Sequence, residues 1–222
     1  MISVAIDGPS GAGKSTLARR VAAELGFLYV DTGAMYRAIG LYASRRGADL
    51  KDESAVGALL PGIRLRLEYQ EDGQHIYLND EDVTAAVRAE SMGMAASAVS
   101  GHACVRAFLL QVQRDMAETH NVLMDGRDIG TVVLPNATVK VFLTASVEAR
   151  AERRYKECLQ KKEDTTLEKV RADLEQRDWQ DTHRTEAPLR RADDAVLLDT
   201  SAMDFEESYQ ALLDTVRRGA GI

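Results

Sequence analysis

Residues 2–15 read ISVAIDGPSGAGKS, and this stretch decides the fold. Its start, residues 2–6, is a short apolar run typical of a strand, and residues 8–13 are too rich in glycine for regular structure. Apolar side chains then recur at every fourth position from 17 to 25, which predicts one buried face of a helix that ends at Gly26. A strand, a glycine-rich loop and a helix in this order are typical of a loop that wraps a phosphate group.

The glycine-rich segment fits the pattern G-x-x-x-x-G-K-[ST] at every position from Gly8 to Ser15. In such a loop successive backbone N–H groups converge on a phosphate, and the helix that follows adds the positive end of its dipole. Lys14 is expected to reach the β- and γ-phosphates, and the Ser15 hydroxyl is expected to ligate Mg²⁺. The predicted ATP-binding residues are Gly8, Pro9, Ser10, Gly11, Ala12, Gly13, Lys14, Ser15 and Thr16.

The rest of the chain alternates short strands with helices. Residues 27–30, 122–125, 139–143 and 195–198 are predicted strands, and the runs at 122 and 139 suit central strands buried on both faces. Helices are predicted over 34–46, most of 85–118, 150–184 with a break near 163–166, and 205–218. Between them, residues 63–69 alternate apolar and polar side chains, Glu71-Asp72-Gly73 is a candidate turn, and 75–78 is a candidate return strand. These patterns predict one α/β domain over residues 1–222 with a parallel sheet, flanking helices and a small antiparallel insert.

Composition excludes several classes of protein. The 222 residues are 45% hydrophobic and 28% charged, which is ordinary for a packed domain, and the longest apolar runs fall far short of a membrane span. The first residues lack the pattern of a secretory signal, so we expect a cytoplasmic protein. A net charge of −7 argues against nucleic acid as a partner. The cations are nevertheless mostly arginine, 21 Arg to 7 Lys, which favours a local phosphate site.

A phosphate loop alone leaves a kinase, a GTPase switch and a mechanical ATPase open. The chain has no guanine-reading N/T-K-x-D motif and no D-x-x-G switch motif after Asp125. Arginines instead follow the predicted strands, at Arg37, Arg127 and in the group Arg150, Arg153 and Arg154. Since ligands of open α/β sheets bind outside the carboxyl ends of the strands, these arginines are expected around one crevice. Asp125 ends an apolar strand and is expected beside Mg²⁺, through water.

Three segments together resemble the bacterial cytidylate kinase family, among the nucleoside-monophosphate kinases. They are IDGPSGAGKS at 6–15, DTGAMYR at 31–37 and DGRDIGT at 125–131, and the resemblance runs nearly end to end. It implies a P-loop kinase core around a five-stranded parallel sheet, a monophosphate-binding region with the insert at about 34–100, and a short lid at about 150–171. It also implies phosphorylation of CMP and dCMP by ATP with Mg²⁺, in a protein expected to be a monomer.

The same resemblance implies the roles of individual residues. Ser97, Arg106 and Asp128 are similar to residues that read cytosine, and Arg37, Arg127 and Arg184 to ligands of the acceptor phosphate. Arg177 and Asp181 are similar to sugar contacts. Thr32 and Tyr36, in the second segment, complete the predicted CMP-binding set. The predicted catalytic residues are Lys14, Arg127, Arg150, Arg153 and Arg154, of which any of the last three could reach the transferring phosphoryl group.

The chemistry of the base agrees with these roles. A carboxylate such as Asp128 can accept a hydrogen bond from the N4 amino group of cytosine, whereas uracil would present an acceptor there. No general base is required, because the acceptor is already an anion.

Two alternative functions stay open at this point. One is a P-loop kinase of UMP or a small alcohol, which would not need Ser97, Arg106 and Asp128, and the other is a regulatory nucleotide-binding protein without catalysis.

Overall fold

The computed structural model describes residues 1–70, 73–89, 91–162 and 164–222. Within them the chain forms two compact units, a first unit of Met1–Tyr29 with Ala117–Ile222 and a second unit of Val30–Met116. The strands in the described residues are β1 (Ser3–Asp7), β2 (Leu28–Asp31), β3 (Leu65–Gln70), β4 (Gly73–Leu78), β5 (Glu81–Asp82), β6 (Val122–Gly126), β7 (Val139–Thr144) and β8 (Val196–Asp199). The α-helices are α1 (Lys14–Leu25), α2 (Thr32–Arg45), α3 (Glu53–Leu59), α4 (Ser91–Val99), α5 (Ala103–Thr119), α6 (Val147–Gln160), α7 (Leu167–His183) and α8 (Phe205–Ala220).

The larger sheet is parallel and five-stranded, in the order β2-β6-β1-β7-β8, and β1, β6, β7 and β8 lie wholly in the first unit. β1 lies at its centre and pairs in parallel with β6 and β7, so Ile6 lies opposite Asp125 and Asp7 opposite Gly126. Val4, Ala5 and Ile6 are fully buried, as their unbroken apolar run predicted. The register therefore brings the carboxyl ends of β1 and β6 side by side, where the functional residues follow.

Helices cover this sheet through their apolar faces. α1 buries Leu17 and Val21 in the same core as β1, β6 and β7, and α8 adds Leu212 and Val216 to it. α1 ends at Gly26, whose φ of 66° lies in the left-handed region that glycine enters without strain. α8 begins with a capping box, in which Asp204 and Glu207 satisfy each other's backbone N–H groups.

The second unit combines helices with a small antiparallel sheet in the order β3-β4-β5. α2 packs closely on α4 at Gly40. A Cβ at this position would lie only 2.9 Å from the Cβ of Ala95, so the close approach of the two helices requires glycine there. Among the described helices, none alone has the length and apolar character of a membrane span. The pair Ser91–Ser100 and Ala103–Thr119, bent by 99°, meets that test jointly by length and composition.

The predicted fold class is confirmed, and the differences lie in short elements. β5, α3 and a π-helical turn at Ile129–Val133 were not predicted, because each is too short to show a period of its own. The predicted helix over 34–46 begins earlier, at Thr32, because the Asp31 side chain caps it by accepting the N–H of Ala34. The candidate turn at Glu71-Asp72-Gly73 falls largely outside the described residues, since 71 and 72 are not among them.

Candidate active site

The loop between β1 and α1 has a conformation that depends on glycine. Gly8 has φ of +152°, and a Cβ there would lie 1.9 Å from the backbone oxygen of Leu143. Gly11 and Gly13 also have positive φ values, 75° and 87°. Residues with side chains adopt such values only with strain, so the spacing of the glycines specifies the path of the backbone. The predicted phosphate loop thus lies between a buried strand and the first turn of a helix.

Lys14 lies in this loop with its side chain buried, and its Nζ donates a hydrogen bond to the Pro9 carbonyl oxygen at 2.7 Å. Burial and, to a smaller extent, the charge of Arg127 lower the pKa of Lys14 to about 7, and the negative charges of Asp125, Asp181 and Asp7 limit the shift. These influences show that the charged groups of several elements lie close to the ammonium. A phosphate bound in the loop would add negative charge there and favour the protonated lysine.

Ser15 and Asp125 form a pair of oxygen ligands. The Ser15 hydroxyl donates to Asp125 Oδ2 at 2.8 Å, and the Tyr29 hydroxyl donates to Oδ1 at 2.8 Å. Hydroxyl and carboxylate oxygens suit Mg²⁺, which keeps water and substrate phosphates for the rest of its coordination. Among the residues described, no cluster of three or more His, Cys, Asp or Glu side chains could hold a metal. The pair therefore fits an ion that arrives with a nucleotide rather than one held in an all-protein cage.

Arg127 follows β6 and is tied to α7. Its Nε donates to Asp181 Oδ2 at 2.6 Å, and both side chains are largely buried. Although burial opposes it, the negative charge of Asp181 raises the pKa of Arg127. Burial likewise opposes ionisation of Asp181, but Arg127, Arg184 and Arg177 together lower the pKa of that carboxyl group. The pair is thus ionised, with the guanidinium held at the end of β6.

Asp128 is 4% exposed and lies 3.6 Å from the guanidinium of Arg184, measured from Oδ1 to Nη2. Arg184 follows α7 directly, and its Nε donates to the carbonyl oxygen of Ala187 at 2.8 Å. Arg177 lies on α7 one turn before Asp181 and contributes to lowering the pKa of that residue. The first unit therefore brings together the predicted residues that follow β1, β6 and α7.

The three candidate arginines on α6 have different surroundings. Arg150 is buried and donates to the carbonyl oxygens of Ala145 and Ser10 and to Asp178 Oδ2. Arg153 donates to the hydroxyl and carbonyl oxygens of Thr200 and to the carbonyl oxygen of Met203. Arg154 is more exposed and pairs with Glu157 one turn along the helix.

Asp7 has a position in the site that the sequence reasoning did not identify. Its Oδ1 accepts the N–H of Ile129 and its Oδ2 accepts the N–H of Gly130, both at 2.7 Å. Burial raises the pKa of Asp7 to about 6, although these two N–H groups oppose the shift. The available signal was a carboxylate directly before the first glycine of the loop, at the end of an apolar strand.

The remaining predicted residues lie in the second unit. Arg37 donates to Asp31 Oδ2 at 2.9 Å, and its Nε–H is buried with no hydrogen-bond partner among the described residues. The guanidinium of Arg106 lies over the ring of Tyr36, 5.9 Å from its centroid. Thr32 begins α2 with its side chain buried, and Ser97 lies on α4. Within this unit the structure therefore brings Tyr36 and Arg106 into contact.

The family model and the curated relatives that match this chain agree on one family. The family model described as cytidylate kinase matches residues 4–218. The cytidylate kinase of Shouchella clausii is 48% identical over 215 residues, covering 97% of this chain and 96% of the relative. That of Geobacillus kaustophilus is 46% identical over 220 residues, covering 99% and 98%. A crystal structure of an uncharacterized protein from Eubacterium ventriosum aligns with 99% of this chain and 98% of its own at a TM-score of 0.51 and 10% identity, a likeness of fold alone.

Proposed function

The chain belongs to the cytidylate kinase family, and on that premise we propose that it transfers the γ-phosphoryl group of ATP to CMP and dCMP. The products are ADP with CDP or dCDP. One observation carries the proposal: in the first unit, Lys14 of the phosphate loop shares its electrostatic environment with Arg127 and Asp181. Lys14, predicted to bind the phosphates of ATP, thus lies close to Arg127 and Asp181, which are predicted to bind CMP.

The donor nucleotide binds in the loop from Gly8 to Thr16. Its backbone N–H groups and the first turn of α1 hold the phosphates, as expected at the start of a helix. Lys14 leaves the Pro9 carbonyl oxygen and reaches the β- and γ-phosphates. The negative charge of the phosphates restores the protonated state that burial disfavours.

Ser15 and Asp125 are the residues that would hold Mg²⁺, Ser15 through its hydroxyl and Asp125 through water. When bound, the ion supplies charge neutralisation on the β- and γ-phosphates. Tyr29 fixes the Asp125 carboxylate from the other side and so keeps its Oδ2 directed toward Ser15.

The acceptor phosphate is bound by Arg37, Arg127 and Arg184. The buried Nε–H of Arg37, which has no partner among the described residues, supports this role, because a phosphate oxygen would satisfy it. Arg127 is held for the purpose by Asp181. Guanidinium groups suit phosphate because their planar N–H groups bind two oxygens at once.

The base of the acceptor is read by Ser97, Arg106 and Asp128. Asp128 accepts from the N4 amino group of cytosine, and the other two donate to N3 and O2. Tyr36 supports Arg106 through the contact between ring and guanidinium, and Thr32 completes the pocket. Arg177 and Asp181 contact the sugar. A uracil would present its O4 acceptor to the Asp128 carboxylate, and the loss of the hydrogen bond from N4 would cost about 1–3 kcal/mol.

Transfer proceeds in line from ATP to the acceptor phosphate, and the protein contributes positioning and charge rather than a general base. Arg127 and the arginines of α6 stabilise the charge on the moving group. Any of Arg150, Arg153 and Arg154 could contact the transferring phosphoryl group, and Arg150 already donates to the Ser10 carbonyl oxygen of the phosphate loop. A lid over residues 150–171 would close to exclude water, so that ATP is not hydrolysed.

The broader features of the proposal follow the same family. We propose a single kinase domain over 1–222, with the monophosphate-binding region at about 34–100, that works as a cytoplasmic monomer. The net charge of −7 supports small nucleotides as its partners rather than nucleic acid or a membrane surface.

The test is a coupled ADP-release assay with Mg-ATP against CMP, dCMP, UMP, AMP, GMP and shikimate. We expect turnover with CMP and dCMP at least about tenfold above UMP, as a mismatch of one hydrogen-bonding group implies, and none with the purines. Turnover with UMP or shikimate above CMP would contradict the acceptor, and binding of ATP without any turnover would contradict the kinase function itself.

A matched pair of lysine variants excludes a contaminating kinase. Lys14→Met removes the buried ammonium of the loop and should lower kcat by a factor of about 100 or more, the size expected for loss of one charge-stabilising group. Lys51→Met removes an exposed lysine of the second unit and should leave kcat unchanged. Equal activity in the two variants would show that the measured turnover does not come from this loop.

A further inference from the structure

Asp7 is the only acid that β1 contributes to the site, and no role has been assigned to it above. It ends the central strand, and Gly8, the next residue, begins the phosphate loop. The Asp7 residue is 4% exposed. Each oxygen of its carboxylate accepts one backbone N–H from the segment after β6, that of Ile129 and that of Gly130.

The two hydrogen bonds are short and use both oxygens of the carboxylate. At 2.7 Å each, they have the length expected when the acceptor is ionised. An amide in the same place could accept only one of the two N–H groups, because its NH₂ would face the other donor. The contact therefore requires an aspartate rather than any polar residue of similar size.

The segment on the other side of the contact has little freedom. A Cβ on Gly130 would lie 3.3 Å from Asp7 Oδ2 and 3.2 Å from Cδ of Lys140. Lys140 is itself fixed, because its Nζ donates to the Pro135 carbonyl oxygen and to Asp194. Gly130 thus lies between a carboxylate and an anchored lysine stem.

Asp128, the proposed reader of the N4 amino group, immediately precedes the two bound N–H groups. Its backbone, with φ −147° and ψ 24°, begins the π-helical turn at Ile129–Val133. Fixing the next two peptide groups fixes the direction in which the Asp128 side chain leaves the backbone. A misplacement of about 1 Å at such a group can cost a factor of about 100 in rate.

We propose that Asp7 is a positioning residue for base selection: it holds the turn after Asp128 so that the Asp128 carboxylate meets the cytosine N4 group. This inference rests on the proposed function. The strand β1, which precedes the ATP-binding loop, would thus also help to select CMP over UMP. It would do so through Asp7, a residue that does not touch the nucleotide.

The test compares Asp7→Asn with Gly130→Ala and with a control, Asp204→Asn. The Gly130 φ is not in the positive region, so alanine is tolerated by the backbone but pushes on the same contact from its other end. Asp204 also accepts a backbone N–H, from Glu207, but at the start of α8. The readouts are kcat/KM for CMP and for UMP, and KM for ATP.

We expect the ratio of kcat/KM for CMP over UMP to fall about tenfold in Asp7→Asn and about threefold in Gly130→Ala, within the range for one misplaced polar contact. KM for ATP should change less than about threefold in both, and Asp204→Asn should match the wild type. An unchanged CMP/UMP ratio in Gly130→Ala and in folded Asp7→Asn would overturn the inference. So would a rise in KM for ATP with the ratio intact. If Asp7→Asn does not fold, Gly130→Ala decides alone, whereas a wild type that turns over no CMP would refute the proposed function instead.

Discussion

The two loops that follow β1 and β6 lie side by side, yet they obtain their shapes in different ways. The loop from Gly8 to Gly13 is shaped by backbone conformations that glycine permits, and these are written in the local sequence. The segment from Arg127 to Gly130 is held by side chains far along the chain, namely Asp7 and Asp181. The path of the first loop therefore depends mainly on its own glycines, although Arg150 also donates to its Ser10 carbonyl oxygen, whereas the second segment depends on distant side chains.

The largest effect should come from breaking the first loop locally, with Gly8→Ala. Its φ of +152° is strained for alanine, and the new Cβ would meet the Leu143 oxygen at 1.9 Å. Since that oxygen belongs to β7, which pairs with the central strand β1, the sheet itself would have to move. We expect a loss of more than about 4 kcal/mol in the free energy of unfolding, measured by urea denaturation.

Gly26→Ala is the matched control for this change. Gly26 also has a positive φ, 66°, but no atom lies within 4 Å of the added Cβ. Strain alone should cost about 1–2 kcal/mol. Equal losses in the two variants would mean that backbone conformation, and not the approach to Leu143, sets the requirement for glycine at position 8.

This difference also explains what the sequence could predict. The phosphate loop, its lysine and its serine were identified from spacing alone, because glycine positions encode the backbone path directly. Asp125 was expected beside Mg²⁺ because it ends an apolar strand in a chain with a phosphate loop, and its side chain is hydrogen-bonded to Ser15, the other expected ligand.

The side-chain supports of the second loop could not be read in the same way. Asp7 is 122 residues from Ile129, and no local pattern relates them. The roles of Arg177, Asp181 and Arg184 were implied by the family resemblance, but the ion pair of Asp181 with Arg127 depends on how α7 packs. The surroundings of Arg150 and Arg153 likewise depend on where Ser10 and Thr200 lie in the folded chain.

An effect of intermediate size should appear in the pH dependence of stability. It concerns Asp7, which directly precedes the first loop in sequence and supports the second through hydrogen bonds. Burial raises its pKa from 3.8 in the unfolded chain to about 6. The folded state then holds the proton more tightly than the unfolded chain does. The contribution of Asp7 to stability is therefore complete below a pH of about 4 and is lost as the pH rises through about 6.

The difference in free energy of unfolding between the wild type and Asp7→Asn isolates this contribution. It should decrease by about 3 kcal/mol between a pH of about 3 and a pH of about 7, as a shift of about two pKa units implies. Urea denaturation of both proteins across this range measures it. A difference that stays constant with pH, or grows as the pH rises, would show that Asp7 ionises in the fold as easily as in the unfolded chain.

The smallest effect should come from Tyr29→Phe, which removes a distant support from Asp125, the strand-end residue that precedes the second loop. The Tyr29 hydroxyl donates to Asp125 Oδ1, while Ser15 donates to Oδ2, so the variant leaves the carboxylate buried with one of these two donors. We expect a loss of about 1 kcal/mol in the free energy of unfolding. The control Tyr155→Phe alters a partly buried ring packed beside α7 and should change the free energy of unfolding by less than about 0.5 kcal/mol.

Tyr29→Phe also tests the metal site. If Tyr29 orients Asp125 for a metal ion, the Mg²⁺ concentration for half-maximal rate should rise by about threefold, a loss of about 0.6 kcal/mol in binding. If the variant loses stability but keeps its Mg²⁺ dependence, Tyr29 contributes to stability alone. The position of Asp125 would then be determined by its own strand, β6, as the path of the first loop is determined by its own glycines.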